Sequence, residues 1–303
     1  MKKFGLMSLG FILLLGCAAQ QQQQSVGISA FTVQTGEQTA QNMTRRYNDT
    51  RPYCNDVEEM AFKCTGIIFR GTVASPDYHA WNPAPGSYER EGVSFSYLRT
   101  DAKFKTLVYH YNHGFIFYPE NDRTSGKDTI EVRCAFPVDG GTEHRVADAC
   151  GQRPNYPESR PCQVQGVRTA AQWLTHFTQQ AGSLPWRQCG FKVNEAGGVA
   201  SAEAFDETLK AMGLLGTQSF DAQNELILTP WEQDIGDRLP IEAFFYTPEG
   251  TGGLAGAQAD QEDFYNVTRI LLPIIRMTLP AVATANATFE YRAPDQWSPG
   301  VQP

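Results

Sequence analysis

"GVSFSYLR", residues 92–99, alternates apolar and polar side chains and reads as a half-buried strand. A period of two places Ser94 and Ser96 on one face and Val93, Phe95 and Tyr97 on the other, with Arg99 at the end. The serine face either meets solvent or lines a pocket. The run is followed by three more strand-like stretches, 106–111, 113–119 and 129–135, and preceded by "TGIIFRGT" at 65–72. Between 73 and 91, Pro76, Pro83, Pro85 and Gly86 mark a loop.

Helical patterns surround these strands. Residues 36–49 carry Met43 and Tyr47 on one face, 56–63 suggest a short helix, and 167–180 a longer one. Ser201 reads as the N-cap of the next helix. Strands follow at 223–230 and 239–247, a helix at 257–268, and strands at 269–279 and 288–292. Strands and helices do not alternate regularly, so the expectation is one α+β domain with a mixed β core and flanking helices.

The N-terminus predicts export. Lys2 and Lys3 precede a mostly apolar run, Phe4 to Leu15, that ends in Leu14-Leu15-Gly16-Cys17. This resembles a bacterial lipobox, with Cys17 lipidated; the alternative is an ordinary signal peptide cleaved near Ala18-Ala19. The expected division is a signal segment 1–17, a polar tether 18–34, a catalytic domain 35–293 and a tail 294–303. The lipid would anchor the chain to the outer membrane or cell surface, with release as the alternative.

Setting Cys17 aside leaves Cys54, Cys64, Cys134, Cys150, Cys162 and Cys189, an even set that reads as disulfides in an exported protein. Pairing in sequence order, 54–64, 134–150 and 162–189, closes the smallest loops. No CxxC or cysteine–histidine cluster suggests zinc, and no metal site is expected. A formal net charge of −8 with scattered basic residues argues against a nucleic-acid groove.

Three short features carry chemistry. Arg70 ends a strand and precedes Gly71; its guanidinium suits a diphosphate, and glycine permits close approach. The plainer reading is an exposed strand end. Ser94 and Ser96 share a face. Gln223 and Glu225 lie two apart at the start of the apolar run Leu226-Ile227-Leu228, where their side chains share a face and a carboxylate can be fixed and partly desolvated. The plainer reading of Glu225 is a solvated strand start. Glu242 is a lone carboxylate in an apolar strand, best explained by a structural pair or a sheet edge. Asp260 and Glu262 read as acids near a helix N-terminus. His110 and His113 would face opposite ways on a strand, and Trp81, Trp173, Trp186 and Trp231 read as core. No Gly-x-Ser-x-Gly elbow points to a serine hydrolase.

The order Arg-Gly, Ser-x-Ser, Gln-x-Glu resembles ADP-ribosyltransferase toxins. The resemblance implies that Arg70 holds NAD, that the strand of Ser94 and Ser96 shapes the nicotinamide-ribose site, and that Glu225 grips the ribose 2′-hydroxyl; Gly71 beside Arg70 and Tyr97 beside the serines are assigned to the same NAD-binding region. It implies that Gln223 handles the acceptor, and a fold of that family's kind. Phe95 stands where the family's serine motif has threonine. Longer runs, including "RYNDTRPYC", "AFKCTGIIFRGT", "GVSFSYLRTDAKFKTL" and "DQEDFYNVTRILLPIIRMTLP", look like the halovibrin family of secreted bacterial proteins, which is associated with NAD glycohydrolysis and ADP-ribosyl transfer. The lipobox departs from a freely secreted toxin. The expected activity is cleavage of the nicotinamide–ribose bond by a glycohydrolase, with NAD as substrate and no other cofactor. The alternatives are transfer to a host protein acceptor and a non-enzymatic surface-binding lipoprotein.

Overall fold

The Ser94–Ser96 strand lies near the middle of a nine-stranded sheet. The computed structural model describes residues 33–55, 59–73, 77–122, 124–141, 145, 150, 161–179, 188–215 and 223–292. Cys17, tether residues 18–32, Trp186 and the tail lie outside the described residues, while 33 and 34 begin the first helix. The strands are β1 Tyr53–Cys54, β2 Glu59–Met60, β3 Ile67–Gly71, β4 Val93–Leu98, β5 His113–Phe117, β6 Val132–Phe136, β7 Phe191–Lys192, β8 Glu225–Leu228, β9 Ile241–Tyr246, β10 Ile274–Thr278 and β11 Thr288–Tyr291. The helices are α1 Val33–Asn48, α2 Pro85–Glu89, α3 Ala170–Gln179, α4 Gly198–Leu215 and α5 Gly253–Thr268.

Spatial order in the large sheet is β11-β10-β9-β5-β3-β4-β8-β6-β7. Its neighbours pair antiparallel except β9 and β10, which are parallel. The strands β1 and β2 form a separate small ribbon. The fold is therefore α+β with a mixed sheet, as the irregular order of sequence patterns predicts.

Period-two alternation divides the sheet into two apolar faces. One face carries Ile68, Phe95, Tyr97, Phe115, Phe117, Leu226 and Leu228, with Ala257 and Phe264 of α5 in the same core. The other carries Ile67, Phe69, Leu98, Ile116 and Phe245, covered by Met43 and Tyr47 of α1. Phe95 shows why β4 is aromatic on its non-serine side. Its ring centroid lies 4.7 Å from Phe117, 5.7 Å from Phe115 and 6.2 Å from Trp231. Such pairs contribute about 0.5–1.5 kcal/mol each beyond burial. Trp81 and Trp173 are fully buried, and Trp231 nearly so.

The three disulfides pair in sequence order: Cys54–Cys64, Cys134–Cys150 and Cys162–Cys189. Several local expectations are corrected. Residues 106–111 are not a strand: Val108–His110 is a tight 3-10 turn, with Tyr109 and His110 in left-handed conformation at φ 53° and 54°. Residues 59–60 are strand and 61–63 a 3-10 turn, where a short helix is expected. Ser201 lies inside α4, which begins at Gly198. Asp260 is in the middle of α5, not at its start, and is buried, accepting a 2.9 Å hydrogen bond from Thr72 Oγ1. Burial pushes its carboxyl up to about 6.

Candidate active site

The pairing of β4 changes along its length, and this creates the site. Through Ser96–Leu98 it pairs with β3, at Ile67↔Leu98, Ile68↔Tyr97 and Phe69↔Ser96. Through Val93–Phe95 it pairs on its other edge with β8, at Val93↔Leu228, Ser94↔Ile227 and Phe95↔Leu226. Backbone groups beyond each ladder need other partners. Side chains supply them. Arg70, just past the β3 ladder, donates from Nη1 to the Ser94 carbonyl at 2.8 Å. Asn224, just before β8, accepts from Tyr97 N at 2.9 Å and donates to Tyr97 O at 2.7 Å. One amide side chain thus extends the β4–β8 pairing and fixes the Gln223-Asn224-Glu225 turn.

Glu225, the first residue of β8, is 2% exposed. This rules out a solvated strand start. Its Oε2 accepts the Gly140 N–H at 2.9 Å. A Cβ on Gly140 would lie 3.0 Å from the Phe136 ring and 3.2 Å from Glu225 Oε2, so glycine permits this close approach. The turn follows directly from β6, whose last residue Phe136 is opposite Glu225 in the ladder. Val138 is tied down by a 2.6 Å hydrogen bond from the buried Gln188 Nε2 to its carbonyl.

Two further charged groups complete the cluster. Arg145 Nη2 donates to Ser94 Oγ at 2.7 Å and lies 3.8 Å from Glu225 Oε1. Burial pulls this guanidinium below its usual range, and Glu225 opposes that shift. Asp139 directly precedes Gly140, whose N–H holds Glu225, and its Oδ1 accepts the Gly141 N–H at 2.9 Å. Burial first, and then the Glu225 charge, push the Asp139 carboxyl up to about 7. Burial also lowers Arg70, and Arg145 adds to that shift as a neighbouring like charge. Two guanidiniums and two carboxyls therefore meet around Ser94.

The structure brings Arg70, Ser94 and Glu225 together. Ser96 shares the Ser94 face and is 2% exposed. It does not bring Tyr97 to them. Tyr97 lies in the opposite core, its hydroxyl 2.9 Å from Thr65 Oγ1 and its ring against Gly66. Gln223 precedes the β8 ladder, and its Oε1 accepts from Val108 N at 3.4 Å, so it and Glu225 have different partners. Gly71 makes room for Tyr111: an added Cβ would fall 2.7 Å from the tyrosine Cβ. Glu242 has the structural partner expected of it, receiving both Arg46 guanidinium nitrogens at 3.2 and 2.5 Å.

Sequence reasoning missed Asp139, Gly140, Arg145 and Asn224. The Cys134–Cys150 pairing was the available signal, because it returns the loop after β6 toward β8. Among the described residues no group of His, Cys, Asp and Glu is arranged to hold a metal ion. No family model matches the chain, and no significant match exists among curated proteins.

Proposed function

We propose that the chain is an exported enzyme that cleaves the nicotinamide–ribose bond of NAD, with water as the first-choice acceptor. The observation that carries this reading is the convergence on Ser94. Arg70 reaches its carbonyl, while Arg145 spans its hydroxyl and Glu225. Unlike the structural Arg46–Glu242 pair, this cluster gathers two guanidiniums and a carboxylate at the one strand residue that carries the serine hydroxyl. The resemblance of Arg70, Ser94 and Gln223-x-Glu225 to the toxin pattern supports the same reading.

The chemistry follows from charge. Breaking the C–N bond builds positive charge on the ribose. Glu225, held by the Gly140 N–H, is a fixed carboxylate that stabilises that charge while accepting the 2′-hydroxyl proton in a hydrogen bond. Paired guanidiniums repel one another, and an anionic diphosphate offsets that repulsion. Ser94 orients the ribose beside Glu225, and Ser96 backs it. The toxin resemblance gives Gln223 the acceptor, although its Oε1 here accepts from Val108 N; a neutral carboxamide cannot take the acceptor's proton. Nicotinamide leaves neutral and needs no acid. In the related reading, the same site transfers ADP-ribose to a protein of the host.

Arg70 tests the ligand assignment. Arg70→Lys keeps the charge and loses the planar fork. NAD affinity measured by calorimetry should weaken roughly tenfold or more, the scale of one charge-assisted hydrogen bond. Unchanged affinity would remove Arg70 from the site.

A further inference from the structure

Hydrolysis leaves one role unfilled, because an attacking water must lose a proton and Gln223 cannot take it. We propose that Asp139, which no sequence motif marks, is the base that activates this water. The inference rests on the NAD-cleaving reading of the Glu225 site.

Geometry carries it. Consecutive residues of one turn hold both carboxyls: Gly140 N–H donates to Glu225 Oε2 at 2.9 Å and Gly141 N–H to Asp139 Oδ1 at 2.9 Å, which sets Asp139 beside Glu225. Glu225 is closed off from solvent at 2% exposure, whereas Asp139 is only partly buried. The pair therefore has an enclosed carboxylate and a second one that keeps some exposed surface, the one an incoming water would meet. The two roles differ, as with paired carboxyls in glycoside hydrolysis. In the step, the C–N electron pair goes to the nicotinamide nitrogen, and water oxygen bonds the ribose carbon. The water proton passes to Asp139. The products are nicotinamide and ADP-ribose, and Asp139 then releases the proton to solvent.

The groups acting on Asp139 are Glu225, which favours its protonated form, and Arg145, which favours the carboxylate; Arg90 stands behind Arg145. With its carboxyl raised to about 7, Asp139 becomes a base as pH rises through neutrality. The sign for stability is opposite. A carboxyl raised above its unfolded value binds its proton more tightly in the folded state. It therefore costs stability as pH rises from about 4 to about 7.

The test compares the wild type with Asp139→Asn, which copies the shape of the neutral acid. Nicotinamide release by the wild type should climb between about pH 6 and about pH 8. In Asp139→Asn it should fall roughly 10²-fold and lose that rise, while the melting temperature at pH 8 holds or increases. Asp139→Ala should regain part of its turnover with added formate, which a merely structural aspartate would not show. Normal turnover with an unchanged pH profile in Asp139→Asn overturns the proposal. Glu225→Gln, run in parallel, separates the two claims. If it is inactive while Asp139→Asn is not, only the base assignment falls. If it keeps full turnover, or the wild type releases no nicotinamide, the NAD reading falls and the base assignment with it.

Discussion

Glu225→Gln should lower NAD turnover by roughly 10²–10³-fold, the scale of one preorganised electrostatic group. The Michaelis constant should move much less, because the ribosyl cation exists only in the transition state. The substitution is a clean one here. A glutamine carbonyl can keep the Gly140 N–H bond, so the turn after β6 stays in place. What disappears is the negative charge beside Arg145 and Ser94. Steady-state kinetics with a melting curve on the same preparation checks this. Near-normal turnover would sink the assignment. Glu242→Gln is the natural control. Its carboxylate is committed to Arg46, so it should lose stability and keep its turnover per folded molecule.

Arg99→Ala should be the most destabilising of the substitutions considered. Arg99 ends the β4 stretch and is fully buried. Its Nε donates to Asp101 at 2.5 Å, Nη2 is paired with Asp206 of α4, and Nη1 donates to Thr65 Oγ1 at 3.2 Å. Removing it leaves the buried Asp206 with only the partly exposed Lys210, 2.7 Å away, as its cation. Breaking such a pair costs about 3–5 kcal/mol. For a domain of this size that corresponds to a fall in Tm of roughly 10 °C. Thermal unfolding followed by circular dichroism reads it, and a Tm within a degree or two of wild type would refute the structural role. The two arginines flanking the serine strand thus differ in kind. Arg70 points its guanidinium at the serine backbone, and Arg99 locks β4 to α4.

What the sequence made legible was period and order. Alternation in "GVSFSYLR" and the glycine after Arg70 mark β4 and the end of β3, and these two strands and β8 are neighbours in the sheet. The even cysteine count, with the smallest-loop pairing in sequence order, leads to the observed disulfides. The turn at 108–110 was not legible, because Tyr109 and His110 adopt left-handed conformation without the glycine or asparagine that normally announces it. Asp260 was misplaced because α5 begins four residues earlier than its apolar pattern, at Gly253. Asp139 and Arg145 lie in a stretch with no periodicity. Their importance comes from the fold returning that stretch to Glu225, which is a property of three-dimensional proximity alone.

The most direct measurement of the central claim is proton NMR of NAD incubated with the purified, oxidised chain. NAD signals should decay while nicotinamide and free ADP-ribose grow in equal amounts, and Glu225→Gln should suppress both. Nicotinamide without matching free ADP-ribose would direct the reading to a protein acceptor. NAD left intact by the folded, disulfide-bonded wild type would rule out NAD cleavage at the Glu225 site.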